Sequence, residues 1–191
     1  MKKTIIIVCV GIVIGLLLSL GTYKGVKETS GDKFCVLCHS MEPMVEVYNK
    51  DVHGGNNPAG IKAKCVTCHL PQDTLTSYLY TKAKNGLVEV AITTFGEPEK
   101  IDWYEKRNHR TSFVYDSGCL SCHKKILDKT EANNPKQLEM HKHYVSKIET
   151  NKPLNCVSCH ISSGHEGLRS KLNELKPEYE PVMNVTAETG H

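Results

Sequence analysis

The sequence predicts a mostly α protein with long loops: one N-terminal membrane helix, then a domain whose interior its own side chains cannot fill. Three observations lead there. A single long apolar run lies next to the N-terminus. The 191-residue chain is only 39% hydrophobic and 6% aromatic, thin for a length that normally buries a large apolar interior. A five-residue pattern, Cys-x-x-Cys-His, recurs four times along the chain.

Lys2 and Lys3 precede Ile5 to Leu20, a stretch of Ile, Val, Leu and Gly without charge. As a helix, Thr4 to Tyr23 would reach about 30 Å at roughly 1.5 Å per residue, the thickness of a bilayer core. The alternative is a cleaved signal peptide. Ser19 to Gly21 gives a weak small-x-small match, but the apolar part is long for a leader, so residues 1–24 are expected to be an anchor. Lys2, Lys3 and the amino terminus favour an N-terminus inside, while Lys24 and Lys27 pull the other way. Cys9, within the run, reads as a small hydrophobe.

The repeats are Cys35-Val36-Leu37-Cys38-His39, Cys65-Val66-Thr67-Cys68-His69, Cys119-Leu120-Ser121-Cys122-His123 and Cys156-Val157-Ser158-Cys159-His160. They use eight of the nine cysteines. Two thiols at this spacing add across the two vinyl groups of one porphyrin, and the next residue brings an imidazole to the iron. Four covalent haem c groups follow. Two zinc sites built from four Cys-x-x-Cys pairs are the competing reading, but zinc needs no His after every second cysteine. The expected fold is therefore one N-terminal transmembrane helix plus a multihaem cytochrome c domain organised around four haems, over residues 25–176. Residues 177–191 are polar and expected to be a disordered tail. Thioether attachment takes place on the outer face of the cytoplasmic membrane. That resolves the orientation: a single-pass protein, N-terminus inside, haem domain on the periplasmic side. The formal charge of +3, without a Lys/Arg run, excludes no partner except nucleic acid.

Four haems offer two axial positions each. Of the ten histidines, four lie in the motifs, leaving His53, His109, His141, His143, His165 and His191. Bis-His iron is low-potential and suits electron transfer. His53 and His165 lie outside apolar runs and are candidate ligands. His141 and His143 share an expected helix from Pro135 to Ile148, and one of the two is expected to ligate. His109 sits among Lys106, Arg107 and Arg110, a solvated basic stretch. His191 ends the chain, where fraying is expected. Met41 and Met44 follow the first motif closely.

Between the second and third motifs, Ser77 to Phe95 reads as a helix with Leu75, Leu79, Ala83, Gly86 and Val90 at steps of three and four, closed by Gly96-Glu97-Pro98. Lys82 and Glu89 are two turns apart and share a face. They are either solvated surface charges or the acid and base that quinol oxidation needs beside a haem and a membrane. Leu168, Leu172 and Leu175 mark a last helix, ending before Pro177.

With these residues the chain resembles the NapC/NirT family of membrane-anchored tetrahaem quinol dehydrogenases over roughly residues 5–168. Within it, the chain is similar to the small subunits of cytochrome c nitrite reductases. The marks are the anchor, the four motifs, the continuation His39-Ser40-Met41-Glu42-Pro43, His53-Gly54, Lys82-Ala83-Lys84-Asn85-Gly86, Glu97-Pro98, Met140-His141 and Gly164-His165. The resemblance implies Met41 as a ligand of the first haem in place of His39. It implies axial ligation by His69, His123 and His160, with distal ligands among His53, His141 and His165. It implies a quinol site at Lys82 and Glu89, the latter standing where the family often has an aspartate. It further implies menaquinol as donor and a periplasmic multihaem reductase as partner, foremost the pentahaem nitrite reductase catalytic subunit; related members serve nitrate reductase or hydroxylamine-oxidoreductase-like enzymes. The stretch from Lys125 to Gln137 is a candidate docking loop.

Overall fold

The computed structural model describes residues 1–128 and 135–176. The expected tail at 177–191, with His191, and the middle of the candidate docking loop lie outside the described residues.

The first element is the apolar run. Helix α1 (Lys2–Glu28) has a mean hydropathy of 2.8 over its most apolar window and no buried residue. Among the described residues it is the one helix long and apolar enough to cross a membrane. It continues one turn past the expected boundary at residue 24, because Lys24 and Lys27 are good helix formers and nothing breaks the chain before Thr29.

The domain that follows is built of short helices joined by loops, as expected, and contains no strand among the described residues. Its elements are α2 (Asp32–Cys35), α3 (Glu42–Lys50), α4 (Cys65–His69), α5 (Leu75–Phe95), α6 (Trp103–Asn108), α7 (Asp116–Cys122), α8 (Pro135–Lys147), α9 (Cys156–Cys159) and α10 (Leu168–Leu175), with 3-10 turns at His39–Met41, Pro98–Lys100 and Arg110–Ser112. Local signals set several starts. Thr74 caps α5 by accepting from the Ser77 N–H at 3.1 Å. Asp102 caps α6 by accepting from the N–H groups of Tyr104 and Glu105. Asn155 and Ser158 form a reciprocal capping box on α9. Gly167, at φ 80°, supplies the left-handed turn into α10.

The apolar core is small. Met44 and Val47 of α3 meet Leu168 and Leu172 of α10, with Met41, Trp103 and Tyr104 packed against them. Elsewhere among the described residues only Tyr48, Leu70 and Val157 are buried hydrophobics, and no large side chain there is fully enclosed. The lean composition has the consequence expected of it: few apolar side chains are buried among the described residues.

Candidate haem-attachment and electron-entry site

Each Cys-x-x-Cys-His motif sits on or beside a single helical turn: α2 and the loop after it, α4, α7 and α9. A helical turn brings residues three apart to one face, so both thiols of a motif address the same side and the histidine follows at its edge. The four turns are joined in chain order. The Cys35 thiol meets that of Cys65; two thiols sharing one proton push Cys35 up and Cys65 down. Helix α4 crosses α7 so closely that a Cβ at Gly118 would collide with the Thr67 carbonyl oxygen. The same crossing is stitched by the Tyr115 N–H on the Cys68 carbonyl, 2.9 Å, and by the Gln72 N–H on Ser117 Oγ, 3.0 Å. Burial, and then the neighbouring Cys119, push Cys68 up to about 11. Cys119 in turn meets Cys156, which lowers Cys119 and raises Cys156. First meets second, second meets third, third meets fourth.

One carboxylate organises the later half. Asp116 Oδ1 accepts the Cys156 N–H at 2.8 Å, and Oδ2 accepts the Tyr144 hydroxyl at 2.8 Å. It thereby ties α7 to both α9 and α8. Arg110 Nε donates to the Val157 carbonyl at 2.7 Å.

The histidines meet in pairs. The ring centroids of His53 and His123 lie 6.3 Å apart, those of His69 and His165 6.2 Å, and those of His141 and His160 6.4 Å. Each pair joins one motif histidine to one from outside the motifs. Two imidazoles sharing a metal ion through nitrogens, at about 2 Å per bond and about 1.1 Å from nitrogen to ring centre, have centroids roughly 6 Å apart. The separations fit an iron between each pair.

The tautomers agree. Phe113 O faces His69 Nδ1 at 3.0 Å, Met44 O faces His165 Nδ1 at 3.1 Å, and Asp51 Oδ1 faces His53 Nδ1 at 3.0 Å. A carbonyl or carboxylate only accepts, so these Nδ1 atoms carry the proton and each Nε2 keeps its lone pair free for a metal. Burial holds His69 below the usual imidazole range; burial, and then His69, lower His165 to about 4. Both are thus in the neutral, ligating form. His141 Nδ1 is buried with no hydrogen-bond partner, and the residue lines a mostly apolar cavity of about 140 Å³ with Ile126, Leu127, Leu138 and Val145, beside Asp128 and Lys142. The donor set, the paired imidazoles and the unpartnered His141 nitrogen fit covalent haem.

The remaining candidates fall into place differently. His109 spends Nε2 on Glu105 Oε1 at 2.9 Å and is exposed, as the basic stretch implied. His143 is exposed on α8 while its neighbour His141 faces His160. Met41 ends the turn His39–Met41 and packs against the Met44–Leu172 core.

Lys82 Nζ donates to the Thr29 carbonyl at 2.8 Å and to Ser30 Oγ at 3.3 Å, where α1 ends. Tyr78, one turn earlier, places its hydroxyl 3.4 Å from Ser30 Oγ. Further along the same face, Thr93 Oγ1 lies 3.8 Å from Cys38 Sγ and donates to the Glu89 carbonyl. Both Lys82 and Glu89 act electrostatically on Cys35. Burial lowers Lys82 and raises Glu89, although the Glu89 side chain keeps an accessible surface. One face of α5 therefore runs from the end of the membrane helix to the first attachment motif and carries both charges.

Two functional residues were not singled out by sequence reasoning: Asp51 and Asp116. For Asp51 the signal was local: it stands two residues before a candidate ligand, the spacing at which a carboxylate reaches a following N–H. Asp116 instead reaches Cys156 and Tyr144, far along the chain, and carried no local signal. Burial alone would raise Asp51; the N–H groups of His53 and Glu166 outweigh it and hold the carboxyl below its ordinary range.

Comparison with known proteins places the chain. Residues 1–170 match the NapC/NirT cytochrome c family, N-terminal region. The cytochrome c-type protein TorC of Escherichia coli K12 is 30% identical over 185 residues, covering 89% of this chain and 45% of TorC. The chain thus spans about half the length of that relative. The tetraheme c-type cytochrome CymA of Shewanella oneidensis is 31% identical over 166 residues, covering 82% of this chain and 87% of CymA. The cytochrome c-type protein NapC of Escherichia coli K12 is 26% identical over 179 residues, covering 90% and 84%. No solved structure matches.

Proposed function

We propose, for a chain that belongs to the NapC/NirT cytochrome c family and so carries covalently bound haem c, that it oxidises menaquinol at the membrane surface and delivers the electrons to a periplasmic multihaem reductase. When bound, four haems would supply one-electron redox chemistry at the four attachment sites. Their thioether cysteines are Cys35 and Cys38, Cys65 and Cys68, Cys119 and Cys122, and Cys156 and Cys159. The residues that would hold the irons are His69 with His165, His123 with His53, and His160 with His141; Met41 would serve the first motif, as the family resemblance implies. Helix α1 anchors the chain in the cytoplasmic membrane, N-terminus inside, with residues 25–176 as the periplasmic haem domain.

The observation that carries the quinol reading is the placement of Lys82 and Glu89. A quinol in the bilayer reaches the protein first where α1 ends, and Lys82 is bonded there to Thr29 and Ser30. Oxidation of a quinol releases two electrons and two protons. A carboxylate raised from its ordinary range by its surroundings is a better base, which suits Glu89 to take a proton from a quinol hydroxyl. Lys82 is suited to hold the opposite oxygen by donating to it. The nitrite reductase catalytic subunit is the acceptor we favour, on the first-motif continuation His39-Ser40-Met41-Glu42-Pro43; nitrate reductase or a hydroxylamine-oxidoreductase-like enzyme would draw on the same donor route.

Anaerobic addition of a menaquinol analogue to the membrane-bound holoprotein tests this. The visible α-band should rise, and a quinol-site inhibitor should block the rise. The double variant Lys82→Gln/Glu89→Gln should lose at least a hundredfold in that rate yet reduce normally with dithionite. Equal rates in variant and native protein would leave both residues as surface charges and the chain as an anchored carrier fed by another protein.

A further inference from the structure

The three outside histidines that meet a motif histidine differ in what holds Nδ1. His165 donates to a peptide carbonyl, Met44 O, at 3.1 Å. His141 Nδ1 is buried without a partner. His53 alone meets a carboxylate: Asp51 Oδ1, at 3.0 Å from Nδ1 and 2.7 Å from the His53 backbone nitrogen. Asp51 is only 5% exposed. Its second oxygen, Oδ2, accepts the Glu166 N–H at 3.3 Å, next to His165. Backbone hydrogen bonds and a close approach hold the loop around it. The Gly54 N–H donates to the Asp51 carbonyl, and the Ala63 N–H to that of His53. A Cβ at Gly54 would collide with the Tyr48 carbonyl oxygen.

A full negative charge on the far nitrogen of an imidazole gives the near nitrogen imidazolate character, and so a stronger donor to a metal. A stronger, more anionic donor favours Fe(III) over Fe(II) and lowers the reduction potential. A peptide carbonyl does this weakly and an empty hydrogen-bond position not at all. The charge here is desolvated, so water screens it little.

We infer that Asp51 is a positioning residue that sets the reduction potential of the iron shared by His53 and His123, making it the lowest of the three bis-histidine sites. This rests on the axial pairs proposed above. The third motif stands between the second and the fourth in the contact order, so the lowest potential falls within the line of sites and not at its exit. The reduction concerned takes one electron and no proton; Asp51 stays a carboxylate throughout.

The test is a potentiometric titration of the full-length holoprotein, with dithionite as reductant and ferricyanide as oxidant, read at the α-band and by electron paramagnetic resonance. His53→Ala is examined first. It should turn one low-spin iron high-spin; four unchanged spectra would defeat the ligand pairing itself. Asp51→Asn keeps an acceptor oxygen for His53 and removes the charge. It should move one midpoint upward by about tenfold in the reduction constant, 59 mV for one electron, and the component that moves must be the one His53→Ala abolishes. Asp51→Glu should return it toward the native value. With His53→Ala behaving as a ligand variant, an unmoved midpoint in Asp51→Asn overturns the inference, as does an equal shift in Asp51→Glu. If Asp51→Asn does not mature, the native protein decides: the component lost in His53→Ala must have the lowest potential of the bis-histidine sites, and any other rank overturns the inference.

Discussion

At the scale of single residues, what matters is which nitrogen of each histidine is already spent. His109 bonds through Nε2 to an exposed glutamate, whereas His53, His69 and His165 bond through Nδ1 to groups that only accept. On the ligation proposed above, that difference separates a surface histidine from a ligand more sharply than sequence position does. On α8 the choice between His141 and His143, open in the sequence, turns on one helical step of about 100° per residue: consecutive helical residues two apart point to opposite faces, and it is His141 that meets His160. His141→Ala should therefore convert one haem from low to high spin, seen by electron paramagnetic resonance and the near-infrared charge-transfer band. His143→Ala should leave all four spectra as they are. The reverse result would exchange the two.

At the scale of elements, the domain is held by a few contacts between short helices. Helix α10 docks on α3 through Leu168 and Leu172, and Leu172 is only 4% exposed. With so small a core, removing one such side chain should cost about 2–5 kcal/mol; Leu172→Ala should lower the thermal midpoint of the holoprotein by several degrees, while Leu175→Ala, exposed at the end of the same helix, should leave it nearly unchanged. The same pair of helices is joined at its surface by Glu46, which Lys171 and then Lys50 hold down to about 2 from an ordinary 4.5. A depressed carboxyl stabilises the folded state above its unfolded pKa and loses that contribution as the pH falls through the folded one. Melting temperature followed from pH 5 to pH 2 should thus fall more steeply in the native protein than in Glu46→Gln, with a small difference because the ion pair is exposed. Helix α5 shows the other side of weak packing. Its Lys82–Glu89 face is engaged, while Leu87 and Phe95 remain 74% and 88% exposed, so periodicity found the helix but not a buried stripe.

At the scale of the whole molecule, the polypeptide lacks the interior that a chain of this length needs. Conformational entropy of about 1–2 kcal/mol per backbone residue has to be met by burial, and only a handful of apolar side chains are buried among the described residues. Four porphyrins and their thioethers supply the rest. The domain should therefore not fold before haem attachment. Produced without haem ligation, or with all eight motif cysteines changed to alanine, it should show the far-ultraviolet circular dichroism of an unfolded chain apart from α1; a cooperative melt in such a sample would refute this. Helix α1 is independent of the core, since it buries no residue against it.

Much of this was legible in the chain alone, wherever covalent or local chemistry decides. The spacing of two cysteines and a histidine is set by the porphyrin, so the four proposed attachment motifs are legible in the residues alone. The apolar run is set by the bilayer, and the long helices by caps and periodicity over a few turns. What local pattern could not supply is anything that depends on residues far apart in sequence. Which distal histidine faces which motif is decided by the α4–α7 crossing, by Asp116 drawing α8 and α9 together, and by the Asp51 loop. The same holds for Lys82, whose partners Thr29 and Ser30 lie some fifty residues earlier. An axial ligand is chosen by distance in space, to within a bond length, and only the packing of the folded chain sets that distance.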